Sequence, residues 1–194
     1  VFQLQAQKQF HPQIESLFDQ ALKPFYFGVA SGDPEQTKVV LWTKIYPEST
    51  APVAVKWEVA TDTFMQNIVA TNTVTTDSSS AYTVKVLVQG LQPNLHYFYR
   101  FSTNTGVSSI GRTKTAPDKE VADLKFGVVS CNNYQHGYFN AYGILAQQYD
   151  IDAVIHLGDY IYEYGAGEYG TNAYTASLGR THVPANEIVT LEDY

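Results

Sequence analysis

Three side chains in the second half of the sequence can ligate a metal ion: the thiol of Cys131, the carboxylate of Asp159 and the phenol of Tyr162. Cys131 stands in FGVVSCNNYQHG, and Asp159 and Tyr162 stand in VIHLGDYIYEYG. A thiolate at the end of a strand is a metal ligand when its surroundings favour the anion. A carboxylate can bridge two cations, and Gly158 beside Asp159 allows the sharp turn that presents it. A phenol titrates near pH ~10 when free, so it ligates well only to a strongly Lewis-acidic ion such as Fe³⁺. Each residue also has an ordinary structural reading. Composition alone favours Cys131 as a small buried core residue, while Asp159 also reads as a turn or helix N-cap residue and Tyr162 as a packed loop aromatic. Other chemistries are excluded. A cysteine-phosphatase loop wants an Arg six residues after the nucleophile, where this chain has Gly137, and a zinc finger wants a second Cys.

These residues need a scaffold that brings them together. The stretch from residue 125 to 165 reads as strand, loop, helix, strand, loop. Residues 125–129 and 153–157 are short apolar runs closed by Gly or polar residues, the form of buried parallel strands. The intervening helix is expected over 138–148, with Tyr138, Ala141, Tyr142 and Leu145 on one face. A right-handed crossover sets the two strands in one sheet. Their carboxyl ends then open on the edge where α/β sheets bind ligands. His156, inside an apolar strand, reads as a hydrogen-bonded core histidine rather than a ligand. His136 and His182 fall on loops and stay open.

The first half has a different period. Val53, Val55, Trp57 and Val59 alternate with Ala54, Lys56, Glu58 and Ala60, and Tyr82, Val84, Val86 and Val88 alternate likewise. So do Leu95, Tyr97, Tyr99 and Phe101, and residues 38–45 are strand-like around Trp42. Leu91, Pro93 and Tyr97 have the order of a tyrosine corner. Together they predict an all-β, fibronectin/Ig-like sandwich of about seven strands over 25–114. It follows an N-terminal arm, 1–24, with a weak helical stretch at 14–22. A polar linker, 115–124, separates the sandwich from the β-α-β portion that opens at residue 125. After Gly165 comes a long loop rich in Gly, Tyr and Thr. Thr190 with Asp193 looks like the start of a helix. A helix begun at residue 190 and a two-strand sheet read as the front part of a longer protein.

Bulk properties narrow the function. A formal net charge of −7 argues against nonspecific nucleic-acid binding. There is no basic tract for an anionic membrane surface and no apolar run near the ~20 residues that span a bilayer. One cysteine excludes an intrachain disulfide, and a lone thiol in an exported protein asks for a role such as metal ligation. The first residues, VFQLQAQKQF, have no Met, basic segment or apolar segment. They read as a mature end left by signal cleavage or as a cut boundary.

Three blocks resemble the alkaline phosphatase D family of metallophosphoesterases. FYFGVASGDPEQTKVVLWTKI (25–45) is similar to the start of the family's N-terminal sandwich, FGVVSCNNYQHGYFNAYGILA (126–146) to its first metal-site block, and VIHLGDYIYEYG (154–165) to its second. The tail GRTHVPANEIVTLEDY looks like the next family segment. The resemblance implies that Cys131, Asp159 and Tyr162 are metal ligands. It implies Fe³⁺, with Ca²⁺ sharing the Asp, as cofactors, and phosphate esters as substrates. It also implies a secreted protein, periplasmic or extracellular. The Asn-His block of metallophosphoesterases is absent, since no Asn-His dipeptide occurs. The metal set here is therefore incomplete, the 194-residue chain alone is expected to be inactive, and the C-terminal remainder of the domain is needed. Whether monoesters, diesters or phospholipids are preferred is left open. The alternative reading is a non-catalytic interaction protein carrying a fibronectin-like module.

Overall fold

The computed structural model describes residues 18–190 and 193–194. Expectations for residues 1–17, including most of the arm and the start of its helical stretch, lie outside them. The described chain divides into two compact units, Phe18–Val121 and Ala122–Tyr194. It is mostly β with little helix.

The first unit holds seven strands: β1 (Val29–Gly32), β2 (Lys38–Lys44), β3 (Val53–Ala60), β4 (Ile68–Thr76), β5 (Thr83–Gln89), β6 (His96–Ser102) and β7 (Gly111–Lys114). They form a three-stranded sheet, β1-β2-β5, and a four-stranded sheet, β4-β3-β6-β7, with every pairing antiparallel. The alternation in the sequence is what fills the core. Val39 and Leu41 of β2, Val84, Val86 and Val88 of β5, and Val55, Trp57 and Val59 of β3 are buried with Tyr97, Tyr99 and Phe101 of β6. Period-2 patterning sends these side chains to one face of each strand.

Two details depart from the pattern. Tyr82 stands before β5, in a left-handed turn with Ala81, yet remains buried. Leu95 precedes β6 and is 40% exposed, so the inward series of that strand starts at Tyr97. The corner forms: Gln92 N–H donates to Tyr97 Oη at 2.7 Å. Thr115, in the segment read as linker, is buried and closes the same corner. Its hydroxyl donates to Gln92 O at 2.7 Å and accepts from Leu95 N–H at 3.1 Å. On β3, Glu58 accepts from Lys56 Nζ at 2.6 Å and from Arg100 Nε, its cross-strand partner, at 2.9 Å.

The second unit contains β8 (Phe126–Val129), α1 (Asn140–Ala146) and β9 (Ala153–His156). β8 and β9 pair in parallel, in the register Phe126↔Ala153 to Val129↔His156. The helix is shorter than the apolar face suggests. Tyr138 and Phe139 precede it, and Phe139 at its N-cap offers no side-chain cap. The strands are not buried on both faces as their composition implies. Phe126, Val128, Val154 and Ile155 are between 44% and 58% exposed. Two strands and one seven-residue helix offer too little cover for a parallel sheet. Only at Gly127 is β8 closed over, where a Cβ would come within 2.5 Å of Leu145 Cδ1. At the far end, Thr190 N–H donates to Asp193 Oδ2 (2.9 Å) and Asp193 N–H to Thr190 Oγ1 (3.3 Å), the reciprocal capping pair expected there. The Thr190 N–H first, then the Val189 N–H and the Thr190 hydroxyl, all donating to Asp193 Oδ2, pull the Asp193 carboxyl down to about 2. Among the described residues no helix is long and apolar enough to cross a membrane.

Candidate metal centre

The carboxyl ends of β8 and β9 carry the site. The parallel ladder continues past both strands: Leu157 N–H donates to Val129 O (2.8 Å), Cys131 N–H to Gly158 O (3.1 Å) and Asn132 N–H to Asp159 O (2.8 Å). The two loops therefore leave the sheet side by side. Cys131 and Asp159 both sit at positive φ, 64° and 50°, a left-handed conformation that disfavours a Cβ. Gly158 between His156 and Asp159 also lies at positive φ, 113°, where glycine is tolerated best.

The three side chains singled out from the sequence come together. Cys131 Sγ is 3.3 Å from Asp159 Oδ2, and Tyr162 Oη donates to the same oxygen at 3.1 Å. Cys131 and Asp159 are exposed and Tyr162 is half-buried. The phenol is held well above its ordinary value of 10.0, by its hydrogen bond to Cys131 first, then by burial and by the Asp159 carboxylate. These neighbours disfavour the phenolate of Tyr162, and a cation among them would reverse that preference. The ring of Tyr162 stacks on Tyr169 with centroids 5.7 Å apart, and Tyr169 in turn contacts Tyr164 at 5.2 Å.

Two of the histidines, His156 and His182, take structural partners. His156 Nδ1 accepts from Gly158 N–H at 3.2 Å, and its Nε2 lies 3.0 Å from Tyr142 Oη and 3.2 Å from Asn132 Oδ1. It is hydrogen-bonded as expected, though half-buried rather than in a core. His182 Nδ1 lies 2.8 Å from Tyr164 O and so carries the proton there. Among the described residues no group of three or more His, Cys, Asp and Glu side chains gathers. Neither His136 nor His182 thus completes a set with Cys131 and Asp159.

The long loop after Gly165 is pinned by residues the sequence reading did not mark. Gln135 is fully buried; its Nε2 donates to Thr171 Oγ1 (3.3 Å) and its carbonyl accepts from Thr175 Oγ1 (3.0 Å). Arg180 Nε donates to Tyr134 O at 2.8 Å, and its guanidinium lies 3.8 Å from the Tyr134 ring and 4.9 Å from that of Phe139. Beside the trio is an open cleft of about 390 Å³, lined among others by Asn132, Tyr134, Phe139, Tyr160, Tyr162 and His182. A buried Gln and an Arg held by the rings of Tyr134, Tyr138 and Phe139 have no periodic signature, so nothing in the sequence pattern pointed to them.

The donor set suits one of the two implied ions better than the other. A thiolate, a carboxylate and a phenolate converging on one point match a strongly Lewis-acidic ion. Ca²⁺ asks for six to eight oxygen ligands, and among these three side chains the carboxylate alone is suited to be shared with it.

An all-β unit precedes a parallel strand–helix–strand unit with a thiol, a carboxylate and a phenol gathered at its carboxyl edge, the place where open α/β sheets bind their ligands. The family described as PhoD-like phosphatase, N-terminal domain matches residues 12–117, and the family described as PhoD-like phosphatase matches residues 126–194. The chain belongs to the PhoD-like phosphatase family. It is 46% identical over 180 residues to alkaline phosphatase D of Bacillus subtilis (strain 168), an alignment covering 88% of this chain and 30% of that protein. It is also similar to a solved structure of PhoD, with a TM-score of 0.81 and 42% identity, covering 91% of this chain and 34% of that one. The chain thus spans about a third of the length of these relatives.

Proposed function

We propose that this chain is the N-terminal part of a secreted, metal-dependent phosphoric ester hydrolase, and that Cys131, Asp159 and Tyr162 ligate its metal. The observation that carries this is the convergence of the Cys131 thiol and the Tyr162 phenol on one oxygen of Asp159, in a chain of the PhoD-like phosphatase family. Residues 25–114 are read as a fibronectin/Ig-like sandwich, on the strength of its three-plus-four antiparallel strands and the Tyr97 corner. Residues 1–24 are read as an arm, of which 18–24 are described; Thr115 belongs to the sandwich corner, the rest of 115–124 is read as a linker, and 125–194 as the opening β-α-β portion of a metallophosphoesterase domain. Secretion accords with a lone cysteine whose thiol has a ligand role to fill.

Fe³⁺ would be held by all three side chains, with Ca²⁺ sharing Asp159; bound cations of this kind neutralise charge on phosphoryl oxygens. What the chain itself does is hold a thiol, a carboxylate and a phenol together at one sheet edge. The Cys131 and Asp159 loops are tied by backbone hydrogen bonds, and Tyr162 is braced by Tyr169. Three donors do not fix an attacking oxygen in line with a leaving group, so the 194-residue chain alone is expected to show no turnover.

The test is metal analysis and phosphate-ester hydrolysis with the full-length protein, beside the 194-residue chain. Iron and calcium with turnover in the first, and none in the second, support the reading. A full-length protein with neither metal nor turnover overturns it and favours an interaction protein built on the sandwich.

A further inference from the structure

Behind the trio, four hydrogen bonds close into a ring through side chains outside it, with a fifth contact between His156 Nε2 and Asn132 Oδ1. Gly158 N–H donates to His156 Nδ1 (3.2 Å), which leaves the proton of a neutral imidazole on Nε2. Nε2 faces Tyr142 Oη at 3.0 Å and Asn132 Oδ1 at 3.2 Å. Tyr142 O–H donates to Asn132 Oδ1. Asn132 N–H donates to Asp159 O at 2.8 Å, which returns the ring to the residue next to Gly158. Every donor and acceptor can be satisfied in one sense around the ring: Gly158 to His156, His156 to Tyr142, Tyr142 to Asn132, Asn132 to Asp159. The Tyr142 and His156 rings lie nearly parallel, 5° apart in plane with centroids at 6.4 Å.

We propose that Asn132, Tyr142 and His156 are positioning residues of the phosphatase site, which together hold the loops of Cys131 and Asp159 in the conformation that brings their side chains to one point. This rests on the function proposed above. The reason a ring is needed lies in the backbone. Cys131 and Asp159 both sit at positive φ without being glycine, a conformation that persists only where surrounding contacts over-determine it. Asn132 follows Cys131 and bonds to the Asp159 carbonyl, and His156 takes the N–H of the residue before Asp159. The two strained residues are thus gripped from either side by one network. Tyr142, from α1, anchors that network to the helix packed over β8 at Gly127. Partners one step behind metal ligands usually fix ligand orientation in this way.

The experiment uses the full-length protein with Tyr142→Phe, Asn132→Ala, His156→Ala and His156→Asn. Readouts are bound iron and calcium, the visible spectrum, kcat and KM separately, the melting temperature, and hydrogen exchange at the Asn132 and Gly158 amides. Tyr142→Phe and His156→Ala are expected to lower metal affinity or kcat by about 10–100-fold and to shift the visible band. KM and melting temperature should change little, and both amides should exchange faster, with or without metal. His156→Asn, whose Oδ1 can accept the Gly158 N–H, should recover part of the loss. If the wild type has metal and turnover, and Tyr142→Phe and His156→Ala match it in metal, spectrum, kcat and exchange, the ring has no positioning role. A uniform loss that merely tracks a lowered melting temperature overturns it too, as structural only. A wild type lacking both metal and turnover removes the reading beneath the proposal, and the ring's role with it.

Discussion

Cys131 Sγ and Asp159 Oδ2 lie 3.3 Å apart although 28 positions separate the two residues in sequence. The parallel register of β8 and β9 makes this meeting. Val129 stands opposite His156, and the ladder runs on to join Cys131 to Gly158 and Asn132 to Asp159. A one-residue slip would turn the side chains of one strand to the other face and separate the thiol from the carboxylate.

Tyr97→Phe tests the sandwich corner. The ring is buried, with 2% of its surface exposed, so the variant keeps the packing. It removes the acceptor for Gln92 N–H and leaves that donor unpaired. The expected loss is about 1–3 kcal/mol, read as a lower urea midpoint of the 194-residue chain with its m-value unchanged. An unshifted midpoint would show that water takes over the Gln92 amide at no cost.

Glu58 gives the sandwich a pH dependence of known sign. Its hydrogen bond from Lys56 is the largest cause holding the carboxyl below its ordinary 4.5; burial opposes this, and Arg100 adds to it. A depressed folded value means that the unfolded chain binds more protons. The stability is therefore present above the unfolded value and is lost as pH falls through the folded one. Glu58→Gln should cost about 1–2 kcal/mol at pH 7. Relative to wild type, the deficit should shrink as the pH falls from about 5 to 3. Denaturant titrations of both proteins at several pH values measure it, and a deficit independent of pH would exclude the ion pairs as its source.

Cys131 and Asp159 were legible as candidates because each follows a short apolar run, and run plus polar stop is a strand-end signature; Tyr162 was marked only by its phenol three residues on and by the family resemblance. The seven-strand count and the Tyr97 corner were legible for the same reason: alternation and turn chemistry are local. The ring of Asn132, Tyr142 and His156 was not, since it depends on strand register, on where α1 starts and on an imidazole tautomer. The openness of β8 and β9 was misread because Val, Ile and Leu in a short run report what a strand needs, not what covers it in this chain. Thr115 looked like linker beside Pro117, yet its hydroxyl finishes a corner 23 residues away, a contact that sequence separation hides.

Gly111→Ala tests how tightly the four-stranded sheet is packed. A Cβ there would run into the ring of Tyr99, which is itself buried and set edge-on against Phe101 at 6.3 Å. A buried ring packed against Phe101 has little room to swing away, so the substitution should cost about 1–3 kcal/mol as overpacking. The melting temperature of the 194-residue chain reads it. Retention of the wild-type value would mean that Tyr99 has room the structure does not show.

The last prediction concerns the trio in the full-length protein, with iron content, visible spectrum and ester hydrolysis measured on three variants. Tyr162→Phe keeps the stack on Tyr169 and removes only the oxygen that meets Asp159. A phenolate bound to Fe³⁺ gives a charge-transfer band in the visible, so this variant should bleach the protein and weaken iron while its melting temperature stays put. Cys131→Ser should weaken iron as well, because a hydroxyl ionises far less readily than a thiol. Asp159→Asn should be the most damaging to turnover, since its carboxylate is the donor proposed to be shared by both cations. Its loss should exceed the roughly 10–100-fold typical of residues one step behind the ligands. The order matters as much as the size. If Tyr162→Phe kept full colour, iron and activity, the phenol would be a packed loop aromatic, and the meeting with Asp159 a hydrogen bond and nothing more.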